Sequence, residues 1–505
     1  MIKNKYIQKV LYILFLLVLT TLFLVLGWFF YKLLKKSWSI EIIVAFFLFY
    51  ILNILSIIFI LNQERHIDAK ISWILFMIFF PFLGQSLFVI FGRKYHKRIS
   101  ELQYLKQKNN FHHYQYEKEN KKFLAQSNYF HQINSIFGNT PKNFEYNFIF
   151  NGFDFYETMF QDIMRAKKFV HIEIFIVKKS FIWNRLKTIL IKKAKEGVEI
   201  RLILDGLGSY EVLKKDKEML KKENIQLITY NKLKFPFISS RSFYRIHKKI
   251  FIIDGEIAYI GGNNISDEYS NFSPYYGIWF DTNLRLEGPI VEDISQAFVD
   301  DWNSWTNHEI ISSHKYVHKN ETKTFDNLGA IFQGGPNVDI SLLETYLIQL
   351  FYSSKKEIKI FTPYFIPTER IFIALKEILM TNRKIKIYIP GKFDKNYVKP
   401  FTLYYCRELE KLGAEIFSYE NSFAHSKAII IDDEIGYIGT MNLDIRSLYS
   451  QYEINILITG NAINEYLQHI EYLKKHDVIT PFFKKKNNKK HRINKIFVLL
   501  FKPLL

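Results

Sequence analysis

The sequence predicts an α/β protein of two similar halves packed about a pseudo-two-fold axis, preceded by N-terminal transmembrane helices. Three observations carry that expectation. The first 92 residues are largely apolar, whereas the rest of the 505-residue chain is strongly basic. From about residue 145 the chain repeats itself at an interval of about 185 residues. Within each copy, β-branched runs of strand length alternate with amphipathic stretches.

The membrane segment, residues 1–92, is expected to hold spans at about 10–31, 42–61 and 71–91. Val10 to Tyr31 is 22 residues without a charge, and Ile42 to Leu61 is 20. Each is long enough, as a helix, for a bilayer core of about 30 Å. Lys3, Lys5 and Lys9 precede the first as they would a signal peptide, but Phe30, Tyr31 and Lys32 follow where small residues would sit. It is therefore read as retained. The third stretch is interrupted by Pro81 and Gly84, which leaves a full, a kinked or a re-entrant segment open. With three spans, Lys32, Lys35, Lys36, Arg93, Lys94, Lys97 and Arg98 share one side against five basic residues on the other, which puts the C-terminal bulk in the cytoplasm.

Residues 93–140 read as a polar linker on the membrane surface. Its histidines, His112 and His113 among them, lack a distinctive metal-ligand spacing. The first half is expected over 141–320 and the second over 321–480. "AKKFVHIEIFIV" (166–177) is echoed by "SKKEIKIFTPYFIP" (354–367), "EGVEIRLILDG" (196–206) by "NRKIKIYIPGK" (382–392), and "NIQLITYN" (224–231) by "GAEIFSYE" (413–420). The amphipathic stretches Asn184–Lys195 and Glu369–Met380 lie between such runs. Strand–helix–strand alternation of this kind predicts a substantially parallel, buried sheet in each half. A tail over 481–505 carries eight Lys and Arg residues between 484 and 502 around the apolar "IFVLLF" (496–501), a segment suited to anionic lipid.

Charge narrows the partners. There are 69 Lys and Arg against 49 Asp and Glu, a net +20, which suits nucleic acid or an anionic membrane surface. A single cysteine, Cys406, excludes an intrachain disulfide.

The chemistry sits in the best-matched blocks, "IHKKIFIIDGEIAYIGGNN" (246–264) and "AHSKAIIIDDEIGYIGTMN" (424–442). His247, Lys249 and Asp254 precede Gly261, Gly262 and Asn264; His425, Lys427 and Asp432 precede Gly439, Thr440 and Asn442 at identical spacing. Duplication alone gives no packing reason for a His, a Lys and an Asn to recur. Two residues apart on a strand, His and Lys share a face. The glycines allow close backbone approach, and Asn264, Asn442, Thr440 and backbone N–H groups donate to phosphate-like oxygens. Joined about the axis, the copies make an anion site with two groups able to move protons near neutral pH. The lysines supply the charge that a metal would otherwise bring, so no metal and no cofactor is expected.

The doubled motif resembles the phospholipase D superfamily, and more narrowly the bacterial cardiolipin synthases of that type. The resemblance runs from about residue 71 to the end and includes "SWILFMIFFPFLG" (72–84), "GIWFD" (277–281), "LEGPIVEDISQAFVDDW" (286–302), "TPYFIP" (362–367) and "GTMNLDIRS" (439–447). Phe280 stands where the family often has Arg, and Gln451 where Asn usually precedes the Glu matching Glu453. The resemblance implies a multi-pass protein of the bacterial cell membrane that joins two phosphatidylglycerol molecules into cardiolipin and glycerol through a phosphatidyl–histidine intermediate. It implies His247 as nucleophile and His425 as acid and base. Lys249, Lys427, Asn264 and Asn442 would hold the phosphoryl oxygens, Asp254 and Asp432 would orient the histidines, and Glu268 and Glu453 would stand behind them. Nucleic acid is not the partner this implies. A membrane-bound hydrolase or nuclease of the superfamily is the alternative, and a scaffold without chemistry is disfavoured by two intact motifs. Oligomeric state is not legible.

Overall fold

The computed structural model describes residues 28, 31, 40–63, 67–92, 141–232, 242, 244–272, 276–306, 310–317, 327–336 and 341–482. Most of the expected first span, the linker over 93–140 and the tail beyond 482 lie outside the described residues. The chain forms two compact units, one with the apolar N-terminal helices and one with both repeat halves.

In the first unit, helix α1 (Ile40–Leu61) covers the expected second span in 22 residues. The expected third span is divided. Helix α2 (Ile67–Phe79) ends before Pro81, which opens helix α3 (Pro81–Leu87), and a π-helical turn follows over Phe88–Gly92. Proline has no N–H to donate, so it is tolerated at a helix start and divides a longer helix. Gln85 Nε2 donates to Ser56 Oγ at 2.8 Å, tying α3 to α1. Phe47, Leu48, Leu52, Leu55 and Phe59 are exposed along α1. Among the described residues no helix is long and apolar enough to cross a membrane.

The second unit carries two strand sets. The first comprises β1 (Lys142–Asn151), β2 (Phe169–Ile174), β3 (Glu199–Asp205), β4 (Gln226–Tyr230), β5 (Arg245–Ile246), β6 (Lys249–Ile253), β7 (Ile257–Gly261) and β8 (Trp279–Glu287). The second comprises β9 (Asn327–Gly334), β10 (Glu357–Phe361), β11 (Lys384–Pro390), β12 (Glu415–Tyr419), β13 (Phe423–Ala424), β14 (Ala428–Ile431), β15 (Ile435–Gly439), β16 (Gln451–Thr459) and β17 (Ile479–Pro481). Pairing runs β4–β3–β2–β6–β7–β8–β1 and, equivalently, β12–β11–β10–β14–β15–β16–β9, with β1 antiparallel to β9 where the halves meet. The expected substantially parallel sheet is corrected here. Within each half only β2–β3–β4 and β10–β11–β12 are parallel, and the motif strands β6–β7 and β14–β15 run antiparallel. The hairpin between β6 and β7 is too short for the crossover a parallel pair needs.

Alternate residues of β6 divide between two cores: Phe251 and Ile253 face one, Ile250 and Ile252 the other. Burial on both faces explains the unbroken apolar run. Helices α4 (Gly152–Arg165) and α5 (Phe181–Lys195) contribute to the first core, and α6 (Ile290–Trp305) to the second. Asn151 caps α4 by accepting from Phe153 N at 2.9 Å, and Ser180 caps α5 by accepting from Trp183 N at 3.1 Å.

Candidate functional site

Each motif histidine is positioned by a strand of the other half. β5 runs parallel to β16, and His247 N donates to Tyr452 O at 2.8 Å. β13 runs parallel to β8, and His425 N donates to Phe280 O at 2.6 Å. The next residue along each foreign strand is a carboxylate. Glu453 lies 2.9 and 3.0 Å from His247 Nδ1 through its two oxygens, and Asp281 Oδ2 lies 2.6 Å from His425 Nδ1. Both pairs are buried. Engaging Nδ1 fixes the ring and leaves Nε2 as the nitrogen without a partner among the described residues.

The lysines follow on the same face. Lys249 Nζ donates to His247 O at 2.5 Å, and Lys427 Nζ donates to His425 O. Aromatic rings wall the site: Phe175 lies 5.3 Å from the His247 ring, Trp279 5.0 Å and Tyr269 5.7 Å from that of His425.

Burial dominates the electrostatics. It pushes Lys249 down to about 7 and Lys427 down to about 8, against the pull of Glu453 and Asp281. Burial, with Lys249, Lys427 and His425 nearby, drives His247 well below its ordinary value. Burial and Lys427 lower His425 to about 4, although Asp281 opposes them. Burial alone would raise Asp281, but Lys427 and His425 hold it below the usual carboxylate range. Burial lifts Glu453 to about 8 in spite of Lys249. Lysines and histidines of both halves thus act on one another, which makes one site of two motifs. Two poorly solvated cations and two neutral imidazoles form a place where an anion improves the energy of every group.

Other expected residues serve elsewhere. Asp254 does not orient a histidine. Its carboxylate accepts from the backbone N–H of Lys167, Lys168 and Phe169 at 2.7, 2.7 and 2.8 Å. Asp432 does the same for Lys355, Lys356 and Glu357 at 2.6, 2.7 and 2.8 Å. Both sit at positive φ, 55° and 54°, turning the chain out of β6 and β14. Five strand residues separate Asp254 from the His247 end of β6, roughly 16 Å at strand rise. Glu268 pairs with Lys178 and Ser266 rather than with a histidine. Thr440 Oγ1 donates to Glu453 Oε2 at 2.6 Å, so this hydroxyl braces the carboxylate instead of facing a ligand. Asn264 accepts from Ile176 N at 3.1 Å and donates to the Tyr269 hydroxyl at 2.6 Å, leaving one N–H. Asn442 Oδ1 is buried without a partner among the described residues.

Asp281 is the residue the motif reading passed over. A signal was present: Asp281 stands seven residues before Gly288, as Glu453 stands seven before Gly460. Gly262 makes room for it, since a Cβ there would lie 2.0 Å from Asp281 Oδ1. Among the described residues no group of three His, Cys, Asp or Glu side chains is arranged to hold a metal ion.

Known proteins share this architecture. A family model described as cardiolipin synthase, PLD-like domain, matches residues 159–302 and 347–474, and a phospholipase D-nuclease N-terminal model matches 51–93. A cardiolipin synthase of Alkalihalophilus pseudofirmus is 30% identical over 488 residues, covering 93% of this chain and 95% of its own. The major cardiolipin synthase of Bacillus subtilis is 34% identical over 444 residues, covering 81% and 88%. The crystal structure of a phosphatidylserine synthase from Haemophilus influenzae matches the fold, with a TM-score of 0.53 at 13% identity over 71% of this chain and 94% of that one. With its duplicated site and relatives aligned over nearly their whole length, the chain belongs to the phospholipase D-like cardiolipin synthases, a family of phosphatidyl transferases.

Proposed function

We propose that this cardiolipin synthase transfers a phosphatidyl group from one phosphatidylglycerol to another through a covalent histidine intermediate. The observation that carries the reading is the pair of crossed histidine–carboxylate contacts. They leave two imidazole Nε2 atoms beside Lys249 and Lys427.

In the first step His247 Nε2 attacks phosphorus. The P–O bond to the glycerol headgroup breaks, and His425, which takes up a proton once the anionic phosphodiester lies beside it, gives that proton to the departing oxygen. In the second step His425 takes the proton of a hydroxyl on the incoming phosphatidylglycerol. That oxygen attacks phosphorus and the P–N bond to His247 breaks. The balance is two phosphatidylglycerols to one cardiolipin and one glycerol. Lys249, Lys427, the remaining N–H of Asn264 and Asn442 hold the phosphoryl oxygens, Asp281 and Glu453 orient the rings, and Asp254 and Asp432 hold the turns that end the motif strands.

The apolar N-terminal helices support a membrane-associated reading. Helix α1 is an apolar helix of 22 residues. Its large apolar side chains stand exposed and are suited to lipid. The repeat halves then work on the cytoplasmic face.

The test is detergent-solubilised protein given phosphatidylglycerol alone, beside His247→Ala and His425→Ala. Cardiolipin and glycerol from the parent, with neither from the variants, is the expected result. Phosphatidic acid with glycerol would make water the acceptor and the protein a hydrolase. Peptides from denaturant-quenched protein kept at neutral pH, if they carry the phosphatidyl group on His425, would exchange the roles of the two histidines.

A further inference from the structure

Three phenylalanines from distant parts of the chain meet on the surface. Phe153 opens α4, Phe181 opens α5, and Phe272 follows the short turn over Asp267–Ser270. Their exposures are 43%, 58% and 49%. The Phe272 ring lies 6.0 Å from that of Phe153 and 6.1 Å from that of Phe181. Single exposed apolar side chains are ordinary, but rings clustered in mutual contact and open to water mark an interaction surface.

The cluster is braced from beneath. Asp267 accepts from Phe181 N and Ile182 N at 3.0 and 3.1 Å, and Phe272 N donates to Asp267 O at 3.2 Å. Asn271, at a positive φ of 64°, accepts from Trp279 N at 2.6 Å. The same turn therefore faces two ways. Tyr269 points inward against the His425 ring, and Phe272 points outward beside Phe153 and Phe181. Lys178 and Lys179 are exposed just before Phe181, on a chain of net charge +20.

We propose that Phe153, Phe181 and Phe272 form an aromatic lip that dips into the surface of a phospholipid bilayer and seats the His425 side of the site over the headgroups. This rests on the lipid-substrate reading above. Amphipathic depth favours that occupant: phenyl rings enter the headgroup boundary while neighbouring lysines stay in its anionic layer. Because the turn is tied to Trp279 and Tyr269, docking the lip fixes the height of the reacting phosphorus.

The test uses the full chain. Phe181→Ser/Phe272→Ser and the parent are assayed on phosphatidylglycerol vesicles and on short-chain phosphatidylglycerol dispersed below its micelle concentration. Loss of about tenfold on vesicles, with change under about twofold on dispersed substrate, is expected from withdrawing two phenyl rings from the interface. Separately, Phe181→Trp in proteoliposomes is expected to gain fluorescence quenched by bromolipid. Equal turnover on vesicles, equal loss on both substrates, absence of quenching, or an altered oligomeric state in the double variant would each overturn the lip. If the parent turns over neither substrate the lipid reading fails instead, and the quenching still judges the lip.

Discussion

Asp281→Asn isolates the charge that holds His425. The Nδ1–Oδ2 distance is 2.6 Å, and the two side chains are 7% and 1% exposed. At about 4 Å between charge centres and an effective dielectric of about 20, the carboxylate stabilises an imidazolium by about 4 kcal/mol. A hydrogen bond to a charged group sets a lower figure of about 1.5–3 kcal/mol. The barrier to protonating the departing glycerol should rise by an amount in that span, a loss of about 10- to 1000-fold in rate. The size is nearly preserved, so folding should be unaffected. The sign of the pH effect follows from the same contact. Asp281 raises His425 against burial and Lys427, so its removal lowers that pKa and moves the limb requiring imidazolium to lower pH. Acidification should therefore recover part of the loss. The assay is single-turnover glycerol release in mixed micelles across pH, with thermal unfolding alongside. A rate within about threefold of the parent, or a pH-independent loss with lowered melting, would refute the assignment of Asp281 as the group positioning His425.

Gly262→Ala should reproduce much of this defect without removing a charge, because its Cβ would stand 2.0 Å from Asp281 Oδ1; glycerol release under the same conditions reads it. Asp254→Ala should instead cost stability, about 3–4 kcal/mol for three backbone N–H groups left unpaired, with more from alanine at φ 55°; denaturant titration should show the loss, while turnover per folded molecule changes little. Binding of inorganic phosphate should take up protons. Lys249 near 7 and Lys427 near 8 are largely or half deprotonated at pH 8, and a bound anion raises both, so about one proton is taken up there. Affinity should then be full below pH 7 and fall as pH rises through 8; calorimetry in buffers of differing ionisation enthalpy measures it, and zero uptake would refute the lysine assignment.

The doubled spacing made the lysines, histidines and asparagines legible, because two residues on a strand share a face whatever the strand pairs with. The order of strands was not legible. Apolar runs such as Ile250–Ile253 reveal burial on both faces but not the direction of their neighbours, and here an antiparallel hairpin lies beside three parallel strands. Asp254 was misjudged on chemical habit, a carboxylate near a catalytic imidazole, although its distance along an extended strand already placed it at the far end of β6. Asp281 escaped because its partner lies 144 residues away, in a register between β8 and β13 that neither sequence segment encodes alone. Glu453 was caught through the family pattern, and Glu268 was mistaken for its counterpart. The division of the third apolar stretch was visible in Pro81.

The crossed pairing of β5 with β16 and of β13 with β8 also constrains ancestry. A lone copy of the repeat would expose an imidazole whose orienting carboxylate belongs to another copy, so the smallest heritable unit with this chemistry is a pair. A single-copy forebear would have worked as a symmetric dimer with both histidines at its axis. In the fused chain the two copies are no longer identical. The longer Glu453 came to rest against the Thr440 hydroxyl, and the shorter Asp281 came to occupy the space that Gly262 leaves. In each case the acid and the residue that accommodates it belong to one half, while the histidine they hold belongs to the other.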